Sequence, residues 1–366
     1  MTIVTAFEPR WASSPSDAIR RLLDHRGWTA EDLADQLGIG DPATRRLLAG
    51  SQEITVDIAA LLADRVGGST SFWLARERQY REATEWLTAD ELVQRMPMSQ
   101  MIQLGWVDSS DSWRSQARIG LAFFGASDAE EGSRKIRDAI GGAHYRTSSA
   151  FSSDEVTLAA WLRRAELEAE ELGVGEWNAA RLRDSLPAIR NLTRVADPAN
   201  FLPSLQRLAA DAGVAIVVVR APKGCVLSGA AFRTTNGTAT VALTARHLSE
   251  DHLWFTIFHE IGHLLLHGAE ETFLDDFEAS ESSAQVSSAE AEADLFAQQV
   301  LVPSGIDSLR VSGRGPTKRD VLRFASRENV SAGAVVGQLQ HEGVVQFNQL
   351  NTLKRRYKWD GTTLRI

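Results

Sequence analysis

His259, Glu260 and His263 lie in the stretch DHLWFTIFHEIGHLLLHG, residues 251–268. Two imidazoles four residues apart on a helix project side by side and can hold one Zn2+. A Glu beside the first can take a proton from water bound to that metal. The residues around them, from Leu253, Trp254 and Phe255 to Leu264, Leu265 and Leu266, are apolar almost all round, which predicts a buried helix. One stripe differs: His252, Thr256, His259, His263 and His267 follow at spacings of three or four and share a face. HExxH also arises without chemistry on amphipathic helices. In a helix that is otherwise core, two His and a Glu need partners, because unpaired buried polar groups are costly, and a metal supplies them.

A third ligand is expected downstream. SSAEAEADLFAQQVLVP, residues 287–303, predicts a second helix closed by Pro303. Glu290 and Asp294 are four apart and share a face. Glu290 is assigned as the third ligand, and Asp294 as the acceptor that orients a ligand imidazole. Two rivals stand beside Glu290: Glu292, about half a turn from Asp294, and His267, whose place at the helix end suits a cap or wall residue better. Three protein ligands plus water is the pattern of a catalytic zinc, with Glu260 as general base; a structural site takes a fourth side chain, usually Cys, and the only Cys is Cys225. For a second oxyanion donor, His252, His267 and the three Tyr are open candidates.

These elements belong to a chain of 366 residues, enough for two or three domains, with 43% hydrophobic and 24% charged residues, an ordinary globular balance. No apolar run is long enough to span a bilayer and the first residues lack a signal-peptide pattern. With a single Cys excluding an intramolecular disulfide, a cytoplasmic protein is expected. The net charge of −9 argues against a general nucleic-acid binder and leaves room for one small DNA-reading domain.

Residues 8–86 predict such a domain. Five short helices are punctuated by caps, among them Thr29 with Asp32 as a capping box. The second and third are joined by Leu37-Gly38-Ile39-Gly40, which is helix-turn-helix spacing, and Thr44, Arg45 and Arg46 fall on the expected recognition helix. Residues 15–85 hold nine Arg, no Lys and twelve Asp or Glu, so a bundle that touches no DNA stays open on charge alone. Residues 87–200 read as a helical connector, with helices at 154–172 and from 178 on, the latter kinked or stopped near Pro187, and a polar loop at 144–153. Residues 201–305 read as a metallopeptidase core: a helix, a strand at 213–220, two strands around Asn236-Gly237, then the metal helix. Strand 228–233 is expected to be an edge that accepts an extended peptide. From Glu270 to Asp294 there are nine Asp or Glu and no Lys or Arg, the composition of a solvated loop, and residues 269–288 are expected to gate the cleft. Residues 306–366 read as a C-terminal extension with a helix pair around Ser331 and a basic tail, Lys354, Arg355, Arg356 and Lys358.

FTIFHEIGHLLLHG followed by EAEADLFAQQVLVP resembles the ImmA/IrrE family of metallo-endopeptidases. The resemblance implies zinc ligation by His259, His263 and Glu290 and a general-base role for Glu260; Ile261 and Val302 are conservative departures from the family pattern. WTAEDLADQLGIGDPATRRLLAGSQEITVDIAALLADRVGGSTSFWLARERQY resembles the Xre-type helix-turn-helix of HigA-like antitoxins, although Asp41 and Pro42 are unusual at the start of the recognition helix and leave base specificity open. The last residues are similar to the ending of long HigA–ImmA/IrrE fusions, and the likeness is weakest at 87–150. The implied fold is mainly α with a small α+β part: a five-helix Xre-type bundle, a helical middle and a gluzincin-like metallopeptidase with a short mixed sheet. The implied function is a DNA-binding regulator that cleaves an Xre-type repressor, in trans or in its own chain, to derepress stress or phage-related genes. Its partners would be a double-stranded operator, the repressor and, on a two-fold operator, a second copy of the chain. Two alternatives are a HigA-like antitoxin or repressor whose metal domain senses or binds a partner without proteolysis, and a metalloenzyme acting on a small molecule.

Overall fold

Caps set the boundaries of the first helices. The computed structural model describes residues 8–141, 155–268, 273–275, 288–310 and 315–366. Helix α1 (Pro15–Arg26) starts at Ser14 and α2 (Ala30–Leu37) at Thr29, each with a complete capping box. Gly38, at φ 64°, ends α2 in the left-handed region and lets α3 (Asp41–Leu48) leave after a short turn. Next come α4 (Val56–Arg65) and α5 (Thr70–Gln94). The sequence suggests a break near Leu87, but no Gly or Pro interrupts the segment before Pro97, and α5 continues as one helix of 25 residues. Ile19, Leu33, Leu37, Leu47, Leu62 and Trp73 form the buried core of this bundle. Trp73 Nε1 donates to the Gly67 carbonyl at 2.9 Å. Then follow α6 (Met98–Gln103), α7 (Trp113–Phe123) and α8 (Ala129–Gly141). The chain divides into two compact units, Met1–Arg95 with Ser109–Ser133, and Met96–Asp108 with Arg134–Ile366.

The second unit is layered around a sheet. Helices α9 (Glu155–Glu171), α10 (Ala179–Leu192) and α11 (Pro198–Ala210) precede strands β1 (Val214–Val218), β2 (Gly229–Arg233) and β3 (Ala239–Leu243). Helix α12 (Glu250–Leu266), strand β4 (Phe273–Asp275) and helices α13 (Ser288–Leu301), α14 (Lys318–Glu328) and α15 (Ala332–His341) follow, and a hairpin of β5 (Lys358–Asp360) and β6 (Thr363–Arg365) ends the chain. The sheet order is β1-β3-β2-β4, with β1 parallel to β3 and the other pairs antiparallel. Both faces are covered, which is why β1 reads as an unbroken apolar run. Val214, Ile216 and Val241 face the core that contains Phe201, Leu205, Trp254, Ile257 and Phe258. Ala215, Val217 and Ala242 face α9, through Leu158, Trp161 and Leu162. Helix α9, which the sequence assigns to a connector, is therefore one layer of this unit.

Two expectations are corrected here. Helix α10 runs through Pro187 instead of stopping there, because Leu182 and Ile189, on either side of it, are fully buried in the main core. Packing of that face outweighs the roughly 3 kcal/mol that an interior proline costs. Strand 228–233 is not an edge over Gly229–Ala231, since β4 pairs with those residues; the outer strands are β1 and β4. The expected gating segment 269–288 lies outside the described residues except for 273–275 and Ser288, as does the loop 144–153. No helix among the described residues is long and apolar enough to cross a membrane.

Candidate metal centre

Helix α12 lies against the sheet on one side and α13 on the other, so it is buried except at His252, Phe255 and Leu266. His259 is 2% exposed, and Glu260 and His263 are fully buried. Two glycines set how closely the neighbours approach. A Cβ on Gly262 would lie 3.0 Å from Phe296 and 3.3 Å from the Ala293 backbone, so a bare helix surface lets α13 cross α12 at this point. A Cβ on Gly229 would lie 2.6 Å from Glu260 Oε1, so β2 passes directly beside that carboxylate. Sequence reasoning missed both residues. Gly262 carried a signal: glycine inside a helix costs about 1 kcal/mol relative to Ala, so its presence among Leu and Ile marks a close approach.

The crossing brings Glu290 and Asp294 onto the histidines. His259 Nε2 and His263 Nε2 stand 3.0 Å apart, and Glu290 Oε2 lies 3.3 Å from the first and 3.6 Å from the second. Ligands of one tetrahedral zinc, each about 2.0–2.1 Å from the ion, are separated by about 3.3 Å. The donor set and its spacing therefore fit such an ion, and this is the triad among the described residues whose ligand atoms converge. His259 Nδ1 donates to Asp294 Oδ1 at 2.9 Å, which fixes the tautomer and leaves the Nε2 lone pair facing the triad. His267 caps the C-terminus of α12 and its Nε2 donates to the Ala289 carbonyl at 3.1 Å, tying the helix end to the turn that carries Glu290. Glu292 is 61% exposed and 4.0 Å from His267 Nδ1. Helix α10 braces both helices: Arg183 donates to the Leu265 carbonyl and Arg190 to the Val300 carbonyl.

Electrostatics agree with this geometry. Burial pushes the His263 imidazole down, so it is neutral and able to ligate at neutral pH. Burial alone would raise the Glu290 carboxyl, but hydrogen bonds and charge from His259 and His263 outweigh it and hold Glu290 far below the usual carboxylate range. Burial also pushes His252 down to about 4, so it is neutral as well. Among the oxyanion candidates, Tyr357 is buried in the core beside Phe201, Tyr80 lies on α5, and Tyr145 lies outside the described residues.

The N-terminus of α12 is fixed by the end of the chain. Lys354 Nζ donates to Asp251 and to Gln340 Oε1, and the Arg355 backbone N–H donates to Glu250 Oε1 at 2.8 Å. Gly333 and Gly337 of α15 make room for these acids, since a Cβ on either would collide with Glu250 or Asp251. The basic tail thus pairs with acids of the metal helix, a link that sequence separation concealed.

In the first unit, α3 exposes Asp41, Pro42, Arg45 and Arg46 along one face. The Arg45 side chain is 77% exposed and lies 3.9 Å from Asp41, and Arg46 Nε donates to Gln52 at 3.4 Å. Thr44 is corrected: it is 1% exposed and its hydroxyl donates to the Gly40 carbonyl at 3.1 Å, so it packs the bundle and presents nothing to a groove.

Comparison with known proteins agrees with both halves. Residues 213–339 match the peptidase family model described as the IrrE N-terminal-like domain, and residues 19–73 match the helix-turn-helix model. Comparison with curated proteins and with solved structures gave no match. The first matched segment spans the sheet, α12 and α13, and the second spans α1 to the start of α5. The chain thus joins an Xre-type helix-turn-helix module to a peptidase domain of the ImmA/IrrE type.

Proposed function

We propose that this chain is a DNA-binding regulator with a zinc-dependent endopeptidase site that cuts a helix-turn-helix repressor, in trans, and so relieves repression. The observation that carries the reading is the convergence of His259, His263 and Glu290 on one point, with Glu260 next to His259 in the same buried helix. His259, His263 and Glu290 would hold a zinc ion, which would supply Lewis acidity at the scissile bond. Glu260 would accept a proton from the attacking water as the water oxygen bonds to the carbonyl carbon. It then delivers the proton to the amide nitrogen as the C–N bond breaks. Asp294 holds His259 in the tautomer that ligates. Gly229 lets the backbone of β2 confine the Glu260 carboxylate from one side.

Arg45 and Arg46 are the proposed groove-reading residues, and the module they belong to brings the peptidase to an operator where a repressor is bound. Tethering there raises the effective concentration of the substrate. Cleavage in trans is favoured over cleavage of this chain because a self-cutting enzyme must be held off during its own synthesis. The test incubates zinc-loaded protein with a tagged Glu260→Gln copy and with an Xre-type repressor encoded beside it. Cutting of the repressor alone supports the proposal. Cutting of the tagged copy alone replaces trans with cis, and cutting of neither, while a generic peptide is hydrolysed, removes the repressor as substrate.

A further inference from the structure

One turn beyond the metal triad, α12 and α13 line a cavity of about 40 Å³. On α12, Phe255 and His252 precede His259 by four and seven residues and so continue its face toward the N-terminus. On α13, Gln298 and Leu301 follow Asp294 by the same steps, toward the C-terminus. All four line the cavity, so it lies along the same two helix faces that carry the triad. The Phe255 ring is 6.1 Å from His259 and 6.2 Å from His341, and it forms the shared wall between triad and cavity. Helix α15 closes the third side with Ala334, Gly337 and His341.

The chemistry of the walls selects an occupant. Phe255, Leu301, Ala334 and Phe347 are apolar. The charges at the floor are committed internally, because Lys354 is taken by Asp251 and Gln340. The Gln340 amide donates in turn to the Phe347 and Gln349 carbonyls. With Lys354 and Asp251 already paired to each other, a charged guest would gain little there for the hydration it loses. The volume holds on the order of three water molecules, which is room for a branched aliphatic side chain.

We propose that this cavity is a specificity pocket that receives a compact, uncharged aliphatic side chain, of valine or leucine size, flanking the scissile bond of the substrate. The inference rests on the endopeptidase reading above and names the substrate class of that site.

The test is digestion of a proteome-derived peptide library by the zinc-loaded full chain, with mass spectrometry of the new termini. Val, Leu, Ile and Met should be enriched about tenfold or more over Trp, Asp, Glu and Lys at one position flanking the cut. Gln298→Trp fills the cavity and should move the preference to Ala and Gly. Phe255→Ala enlarges it and should admit Phe and Trp. A readout independent of turnover is fluorescence anisotropy of the Glu260→Gln chain with a labelled copy of the best-cleaved peptide, against the same peptide carrying Asp at that position; the Asp version should bind at least tenfold more weakly. Cleavage with no side-chain preference, or a preference that neither variant moves while zinc content stays intact, overturns the pocket and leaves the peptidase standing. Absence of any cleavage by the zinc-loaded chain overturns both.

Discussion

In α12 the residues proposed to act are buried, while in α3 they are exposed. His259, Glu260 and His263 have almost no contact with solvent, and their positions are over-determined by the sheet, by α13 and by the chain end. Arg45 and Arg46 project from a short helix whose underside, Thr44 and Leu47, does the packing. A site of the first kind is fixed before anything binds. A site of the second kind gains its geometry from the partner, since a long exposed side chain keeps its rotamer freedom until it is docked. The two regions should therefore fail differently when perturbed.

The largest contrast comes from neighbouring residues of the metal helix. His263→Ala should abolish bound zinc in elemental analysis. Glu260→Gln should keep near-stoichiometric zinc and lower peptide hydrolysis on the order of 10²–10⁴-fold, because it removes only the proton acceptor. Equal loss of metal in both variants would mean that Glu260 is part of the scaffold that holds the triad.

Over-determination itself is tested at Lys354. Burial would raise the Asp251 carboxyl, but His252 and Lys354 hold it below its ordinary value. His252 is neutral above pH about 4, so at neutral pH Lys354 is the charge that matters. Lys354→Ala strands a buried carboxylate and should cost ~3–5 kcal/mol in urea unfolding at pH 7. Because the folded-state value is depressed, the stabilisation is present above the ordinary Asp value of 3.8 and fades as pH falls below it. The gap between wild type and variant should narrow in acid by the same route. A gap independent of pH would assign the loss to packing of the lysine stem.

Asp294→Asn is a milder perturbation. The amide can no longer accept as a charged partner from His259 Nδ1, and zinc affinity should fall about 10–100-fold in a chelator competition with the fold intact. Unchanged affinity would show that burial alone orients the imidazole.

The same contrast decides what the sequence made legible. HExxH at residues 259–263 is readable because a polar stripe in an apolar helix has few uses, and Glu290 with Asp294 because a four-residue spacing puts both on one face of the next helix. The hairpin at Asn236-Gly237, the helix pair around Ser331 and the caps of α1 and α2 follow local rules that need no distant partner. The misread features depended on contacts far away in the chain. Whether β2 is an edge is decided by three residues of the acidic stretch, Phe273–Asp275. Helix α9 looked like a connector because its buried face meets strands some 50 residues later. Pro187 is tolerated because of packing that no local pattern records. The pairing of Lys354 and Arg355 with Asp251 and Glu250 spans more than 100 residues, so the tail read only as basic.

The smallest effects belong to the exposed helix, and there the structure reassigns one residue. Arg45→Ala or Arg46→Ala should weaken binding to the chain's own operator by ~1–3 kcal/mol if the guanidinium reads a guanine, and should relax preference at one base position. Neither change should lower the melting temperature, because both side chains lie outside the core. Thr44 should behave in the opposite way. Its hydroxyl bonds within α3 and its methyl is buried, so Thr44→Val keeps the shape and loses one hydrogen bond, worth about 1 kcal/mol of stability. Operator affinity per folded molecule should be unchanged. Gel-shift titration beside thermal unfolding separates the two classes. An arginine variant that binds as wild type moves base reading elsewhere on the exposed face, with Asp41, Pro42 and Ala49 as the remaining exposed positions of α3 and its cap. A Thr44→Val variant that folds normally but changes base preference would show that the recognition helix shifts on docking to expose a residue that is buried in the free protein.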